Sequence, residues 1–239
     1  MSVRLRGSDS VVHIRWIPKY TSLERILHWV HTACFIPLAI TGYILFASWL
    51  QPLAQGEGGQ LIRLVHRVTA VVFGLVPIVY AILQPRRMVM NLKEFLAFGK
   101  DDLLWLKAAV PYYLFGKHEE MVPQPRFNTG ERANAVVMVV GTVVFGITGL
   151  AMWFLKGIMG AGLYRWMVVI HDLAFIVTGL MFIVHFYLAT VHPLMWQSLV
   201  SMRFGYVSES YAREHHAKWY YGEKRAMELW EQHKAEGGH

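Results

Sequence analysis

Four long runs almost free of charge dominate this chain: His28 to Leu50, His66 to Gln84, Ala133 to Phe154 and Trp166 to Val191. A helix crossing a hydrocarbon core about 30 Å thick needs about 20 apolar residues at 1.5 Å each. The runs are long enough, or nearly so; the second is the shortest, and Pro77 should kink it. They are continuously apolar, whereas barrel strands alternate over about ten residues, so helices are expected. Composition agrees: 55% of the 239 residues are hydrophobic, 16% are charged, and the mean hydropathy is +0.34. The fold class expected is all-α, a single membrane bundle of four helices over residues 28–191. A segment 1–27 precedes it and a polar, largely helix-forming tail 192–239 follows.

The net charge of +7 does not point to nucleic acid, because the basic residues cluster by loop. Arg4, Arg6, Arg15, Lys19 and Arg25 precede the first span. Arg86, Arg87, Lys93, Lys100, Lys107, Lys117, Arg126 and Arg132 lie between spans two and three. Arg203, Arg213, Lys218, Lys224, Arg225 and Lys234 follow the fourth. The other two loops carry few. The positive-inside rule then puts both termini and the long central loop, about 85–132, in the cytoplasm, with the bundle in the inner membrane. Within that loop "NLKEFLAFGKDDLLWLKAAVPYYLFG" is amphipathic and aromatic, and is expected to lie on the lipid surface. The start "MSVRLRGSDS" lacks the apolar core of a cleavable signal peptide. Cys34 is the only cysteine, so there is no disulfide framework, no zinc spacing and no C-x-x-C-H for covalent haem.

Ionisable side chains inside membrane spans are costly and mark function. His171 and His185 lie fourteen residues apart in span four. At 100° per residue they fall within about 40° of one face, separated by about 21 Å along the axis. His28 opens span one at the cytoplasmic end, and His66 opens span two at the opposite end. Two pairs at matching depths follow, His28 with His185 and His66 with His171. Haem iron takes axial imidazoles from separate helices on both faces, so the pattern fits two b haems stacked across the bilayer. His31, one turn deeper than His28 on a similar face, is an alternative that spacing alone does not exclude. Arg25, Arg63 and Arg67 flank these histidines and are candidates for haem propionates. A zinc site would want four close donors. A proton channel through His171 and Asp172 would want acidic groups deeper in the spans.

Several stretches together resemble the gamma subunit of membrane-bound formate dehydrogenase, a four-helix dihaem cytochrome b. They are "ERILHW", "RLVHR", "RFNTGER", "VVIHDLAFI", "FIVHFYLA" and, in the tail, "EHHAKWY", and they span most of the chain. The resemblance implies His28, His66, His171 and His185 as haem-iron ligands, favouring His28 over His31. It implies a quinone pocket beside the cytoplasmic-side haem at Asn128, Gly130, Glu131 and His185. Glu131 stands where the family has Gln, and the central loop is somewhat longer. Asn128 has hydrogen-bonding capacity for a quinone carbonyl, and Glu131 could carry a proton; Thr129 and Glu131 could equally cap span three. The partners implied are a ferredoxin-like iron–sulfur subunit and a molybdenum or tungsten catalytic subunit facing the periplasm, in a complex able to form a higher oligomer. The chain would carry electrons to quinone without acting on formate itself. The alternatives are the cytochrome b of a hydrogenase or thiosulfate reductase and, in another class, a cofactor-free anchor or transporter.

Overall fold

The computed structural model describes residues 2–4, 11–115 and 121–236. Arg6, Lys117 and the last three residues of the tail lie outside the described residues. The chain forms two compact units, one of residues 22–90 and 134–187, the other of residues 1–21, 91–133 and 188–239.

The first unit carries helices α1 (Ser22–Phe46), α2 (Gly56–Leu83), most of α5 (Thr129–Phe154) and α6 (Ala161–Phe186). All four are long and apolar enough to cross a membrane, and the chain is a multi-pass membrane protein. Each starts before its apolar run. The run marks the part that hydrocarbon must solvate, whereas the hydrogen-bonded helix continues into the interface, where Glu24 and Arg25 or Glu57 and Arg63 are tolerated. α1 ends at Phe46, four residues before the expected Leu50, and a 3₁₀ turn over Ser48–Ala54 leads to α2. α2 stops at Leu83 because Gln84 precedes Pro85, and the residue before a proline avoids the helical region. α6 passes into a π-helical turn, Tyr187–Val191, just short of Pro193.

The bundle packs through small and aromatic residues. A Cβ built on Gly141 of α5 would overlap Thr178 Cγ2 of α6, so any side chain there would force the two helices apart. Phe35 of α1, Phe73 of α2 and Phe182 of α6 meet in one cluster with Cys34, Leu38 and Met138. At the start of α1 the Glu24 carboxylate accepts from Tyr80 Oη and Arg87 Nε, both at 3.0 Å, tying α1 to the far end of α2 and to the start of the helix that follows it. Ile82, Ile147, Leu180 and Ile183 are each at least 62% exposed, which suits hydrocarbon as solvent.

In the second unit, β1 (Ser2–Arg4) pairs antiparallel with β2 (Val11–His13), and β3 (Trp16–Pro18) with β4 (Tyr206–Ser208), Ile17 opposite Val207. Val207, Tyr211 and Ala212 form its core with Ile17, Trp219 and Tyr220 packed on them. The central loop holds α3 (Pro85–Leu96) and α4 (Lys100–Phe115), divided where Gly99 N donates to the Asp102 carboxylate at 2.6 Å. Trp105, Ala108 and Tyr112 of α4 are buried, while Leu103, Leu106, Val110 and Leu114 form an exposed apolar stripe. The tail adds α7 (Trp196–Phe204), α8 (Glu209–His215), α9 (Ala217–Tyr221) and α10 (Glu223–Glu236).

Candidate metal centres

The first unit brings four histidines together in two pairs. His28 of α1 faces His185 of α6 with ring centroids 6.3 Å apart and planes at 66°. His66 of α2 faces His171 of α6 with centroids 6.4 Å apart and planes at 55°. A first-row metal binds an imidazole nitrogen at about 2.0 Å, and that nitrogen lies about 1.1 Å from the ring centre, so two rings on opposite sides of one metal have centres about 6.2 Å apart. Both gaps therefore match an ion bound between two imidazoles. Each pair supplies two donors, and no third His, Cys, Asp or Glu converges on either among the described residues. A porphyrin supplies the other donors to its iron and leaves two positions for protein imidazoles, which such a pair can fill. Haem b fits the residues present.

The surroundings of the pairs differ. Thr41 Oγ1 lies 2.8 Å from His66 Nδ1, and Thr148 Oγ1 lies 2.8 Å from His171 Nδ1. Phe145 meets the His171 ring edge-on at 4.9 Å. Gly42 and Gly149 leave room beside the Cε1 atoms of His66 and His171. His28 has Trp29 edge-on at 5.3 Å, and its Nδ1 is buried without a hydrogen-bond partner among the described residues. His31 stacks on Phe73, centroids 3.8 Å apart and planes at 22°, so the geometry pairs His28 and not His31 with His185.

Each arginine proposed for haem propionates has a partner within the protein. Arg25 donates to Ser22 Oγ at 3.0 Å, Arg63 donates to the Ala54 carbonyl at 3.1 Å, and the Arg67 guanidinium lies 5.4 Å from the Trp153 ring centre.

Asn128, Gly130 and Glu131 lie together in the second unit, and His185 lies in the first. Asn128 caps α5: its Oδ1 accepts from Glu131 N at 2.8 Å, while Glu131 Oε2 accepts from Asn128 N at 2.9 Å. This reciprocal pair is a capping box with Asn128, not Thr129, at the cap. Thr129 is already helical and donates its hydroxyl to Asp102. A Cβ on Gly130 would stand 2.9 Å from Trp105 Cη2, so the indole fills the space that the missing side chain leaves.

Sequence reasoning missed the network behind that cap. Lys19 is buried, its Nζ 3.0 Å from Glu131 Oε1 and 3.1 Å from His216 Nε2. His216 is fully buried, with Nδ1 2.8 Å from the Pro125 carbonyl. A carbonyl only accepts, so Nδ1 carries the hydrogen and Nε2 accepts from Lys19. Burial pushes His216 down to about 3, with the Lys19 charge acting in the same direction. Burial also lowers Lys19 against the opposing pull of Glu131. Arg126 donates to Glu94 at 2.9 Å and to the Lys19 carbonyl at 3.4 Å, and Arg132 pairs with Asp102. The available signal was "RFNTGER" and "EHHAKWY", polar strings holding Asn128, Glu131 and His216, though nothing in either says that they meet.

A family model described as prokaryotic cytochrome b561 matches residues 19–205. The chain is 26% identical over 211 residues to the formate dehydrogenase cytochrome b556(fdo) subunit of Escherichia coli strain K12, covering 85% of this chain and 92% of that protein. It is 26% identical over 204 residues to the nitrate-inducible formate dehydrogenase cytochrome b556(Fdn) subunit of the same strain, covering 83% and 87%. A formate dehydrogenase cytochrome b556 subunit of Haemophilus influenzae is 23% identical over 209 residues, covering 85% and 82%.

Proposed function

The chain belongs to the prokaryotic cytochrome b561 family, and we propose that within it the protein is the dihaem membrane subunit of a quinone-linked formate dehydrogenase. The observation that carries this reading is the repeated histidine gap, 6.3 Å and 6.4 Å, at two depths of one bundle. When bound, haem b supplies one-electron carriage between ferrous and ferric iron. His28 and His185 would hold one such group, and His66 and His171 the other. The names of the relatives favour formate dehydrogenase as the parent enzyme. The partners are an iron–sulfur subunit on the electron-donor side and, beyond it, a molybdenum or tungsten catalytic subunit.

The basic residues of both termini and of the central loop favour a cytoplasmic location for them, in the inner membrane. His66 and His171 then lie toward the periplasm and the donor, and His28 and His185 toward the cytoplasm. Quinone takes its protons from the cytoplasm at a site that includes Asn128 and Gly130. The stripe of Leu103, Leu106, Val110 and Leu114 suits α4 to the lipid interface. Formate added to the purified complex should reduce a b-type spectrum, and added quinone should reoxidise it. A spectrum indifferent to formate but reduced by hydrogen would reassign the donor enzyme.

A further inference from the structure

Both imidazoles of the His66/His171 pair rest on a threonine of a neighbouring helix, and the two arrangements are alike. Thr41 Oγ1 on α1 lies 2.8 Å from His66 Nδ1 and 2.6 Å from the carbonyl of Pro37, four residues back. Thr148 Oγ1 on α5 lies 2.8 Å from His171 Nδ1 and 2.6 Å from the carbonyl of Val144, again four residues back. A hydroxyl has one proton, and a carbonyl can only accept it. With that hydrogen donated to the carbonyl, the hydroxyl oxygen accepts from the ring, so Nδ1 carries the imidazole hydrogen and Nε2 keeps the lone pair. Thr142 and Thr178 make the same back-bond elsewhere in the bundle, so it is the imidazole contact that sets Thr41 and Thr148 apart.

We propose that Thr41 and Thr148 are positioning residues that lock both imidazoles of this one site with Nε2 left free to bind a metal, and that they would lower the reduction potential of a group held there. The proposal rests on the haem assignment above. An imidazole that donates from one nitrogen becomes more basic at the other and favours the oxidised metal. Two such donors act on one site. At the other site His28 Nδ1 is buried with no hydrogen-bond partner among the described residues, so that imidazole has no such threonine behind it. The device acts on the His66/His171 site and draws its potential down. Each threonine precedes a glycine beside the Cε1 atom of the same ring, so an Ile-Thr-Gly tripeptide, 40–42 and 147–149, serves both ligands.

The test uses the whole complex with Thr41→Val, Thr148→Val, the double variant, and Thr41→Ser and Thr148→Ser. Haem per chain is measured first, then both midpoint potentials by optical redox titration. Two haems in the native complex with one midpoint raised in each valine variant, raised further in the double variant and restored by serine, supports the proposal. The moved midpoint must belong to the haem lost in His66→Ala. Loss of that haem from a valine variant but not from its serine counterpart supports the positioning role equally. Unmoved midpoints with two haems retained would overturn it, as would serine variants that behave like valine. Fewer than two haems in the native complex would instead defeat the haem assignment, and this proposal with it.

Discussion

Lys19 and His216, 197 positions apart in the sequence, meet with Nζ 3.1 Å from Nε2 in the buried centre of the second unit. The histidine is neutral there because burial and the neighbouring ammonium hold it down to about 3. Its ordinary value is 6.5, so between about 6.5 and 3 the unfolded chain binds a proton that the folded chain does not. Stability from this group is complete above the upper value and is lost as pH falls toward the lower one. The melting temperature of the complex should therefore drop on acidification from pH 7 to pH 5. In His216→Gln it should start lower at pH 7 and fall less steeply. Parallel pH curves for the two proteins would show that His216 is not the group responsible.

The capping box gives a way to separate fold from quinone binding. Serine caps a helix about as well as asparagine, with differences of a few tenths of a kcal/mol, whereas alanine costs about 1 kcal/mol. Asn128→Ser should keep both haem spectra and nearly all the thermal stability, yet lower quinone-dependent turnover several-fold and weaken binding of quinone-analogue inhibitors. Normal turnover and normal inhibitor affinity in Asn128→Ser would place the pocket elsewhere.

Gly141→Leu should be far more damaging than Gly146→Leu. The first puts a side chain into Thr178 of α6, and the second meets open space. Overpacking of this kind costs roughly 1–3 kcal/mol. The yield of haem-loaded complex after detergent extraction is the readout, and equal yields would argue against the close α5–α6 crossing.

Reporter fusions test the direction of the bundle. Fusions after Gly56 and Gly160 should report the periplasm, and fusions after Gly99 and His239 the cytoplasm. A cytoplasmic signal at Gly56 would reverse the topology and with it the order of the two histidine pairs.

Much of the bundle was legible in the sequence because the bilayer constrains it so strongly: apolar runs give spans, and a fourteen-residue interval between His171 and His185 puts two rings on one face. Periodicity could not choose between His28 and His31, since both lie on similar faces. In the fold His31 stacks on Phe73, whereas His28 faces His185. The Thr41 and Thr148 contacts were not legible, because an Ile-Thr-Gly tripeptide is too short to register as a repeat and its meaning depends on which helix lies alongside. The Lys19–Glu131–His216 centre was hidden for a related reason. Its members come from three distant stretches, and only folding places a buried lysine between a carboxylate and an imidazole.

The central claim is that each histidine pair holds one haem. The direct measurement is haem per chain by the pyridine hemochrome assay after acid–acetone extraction, made on the native complex, His66→Ala, His28→Ala and His31→Ala. Two extractable haems in the native complex are expected, about one in His66→Ala with a different spectrum from the one left in His28→Ala, and two in His31→Ala. One haem in the native complex, haem that resists extraction, or loss of a haem from His31→Ala while His28→Ala keeps both would contradict the account.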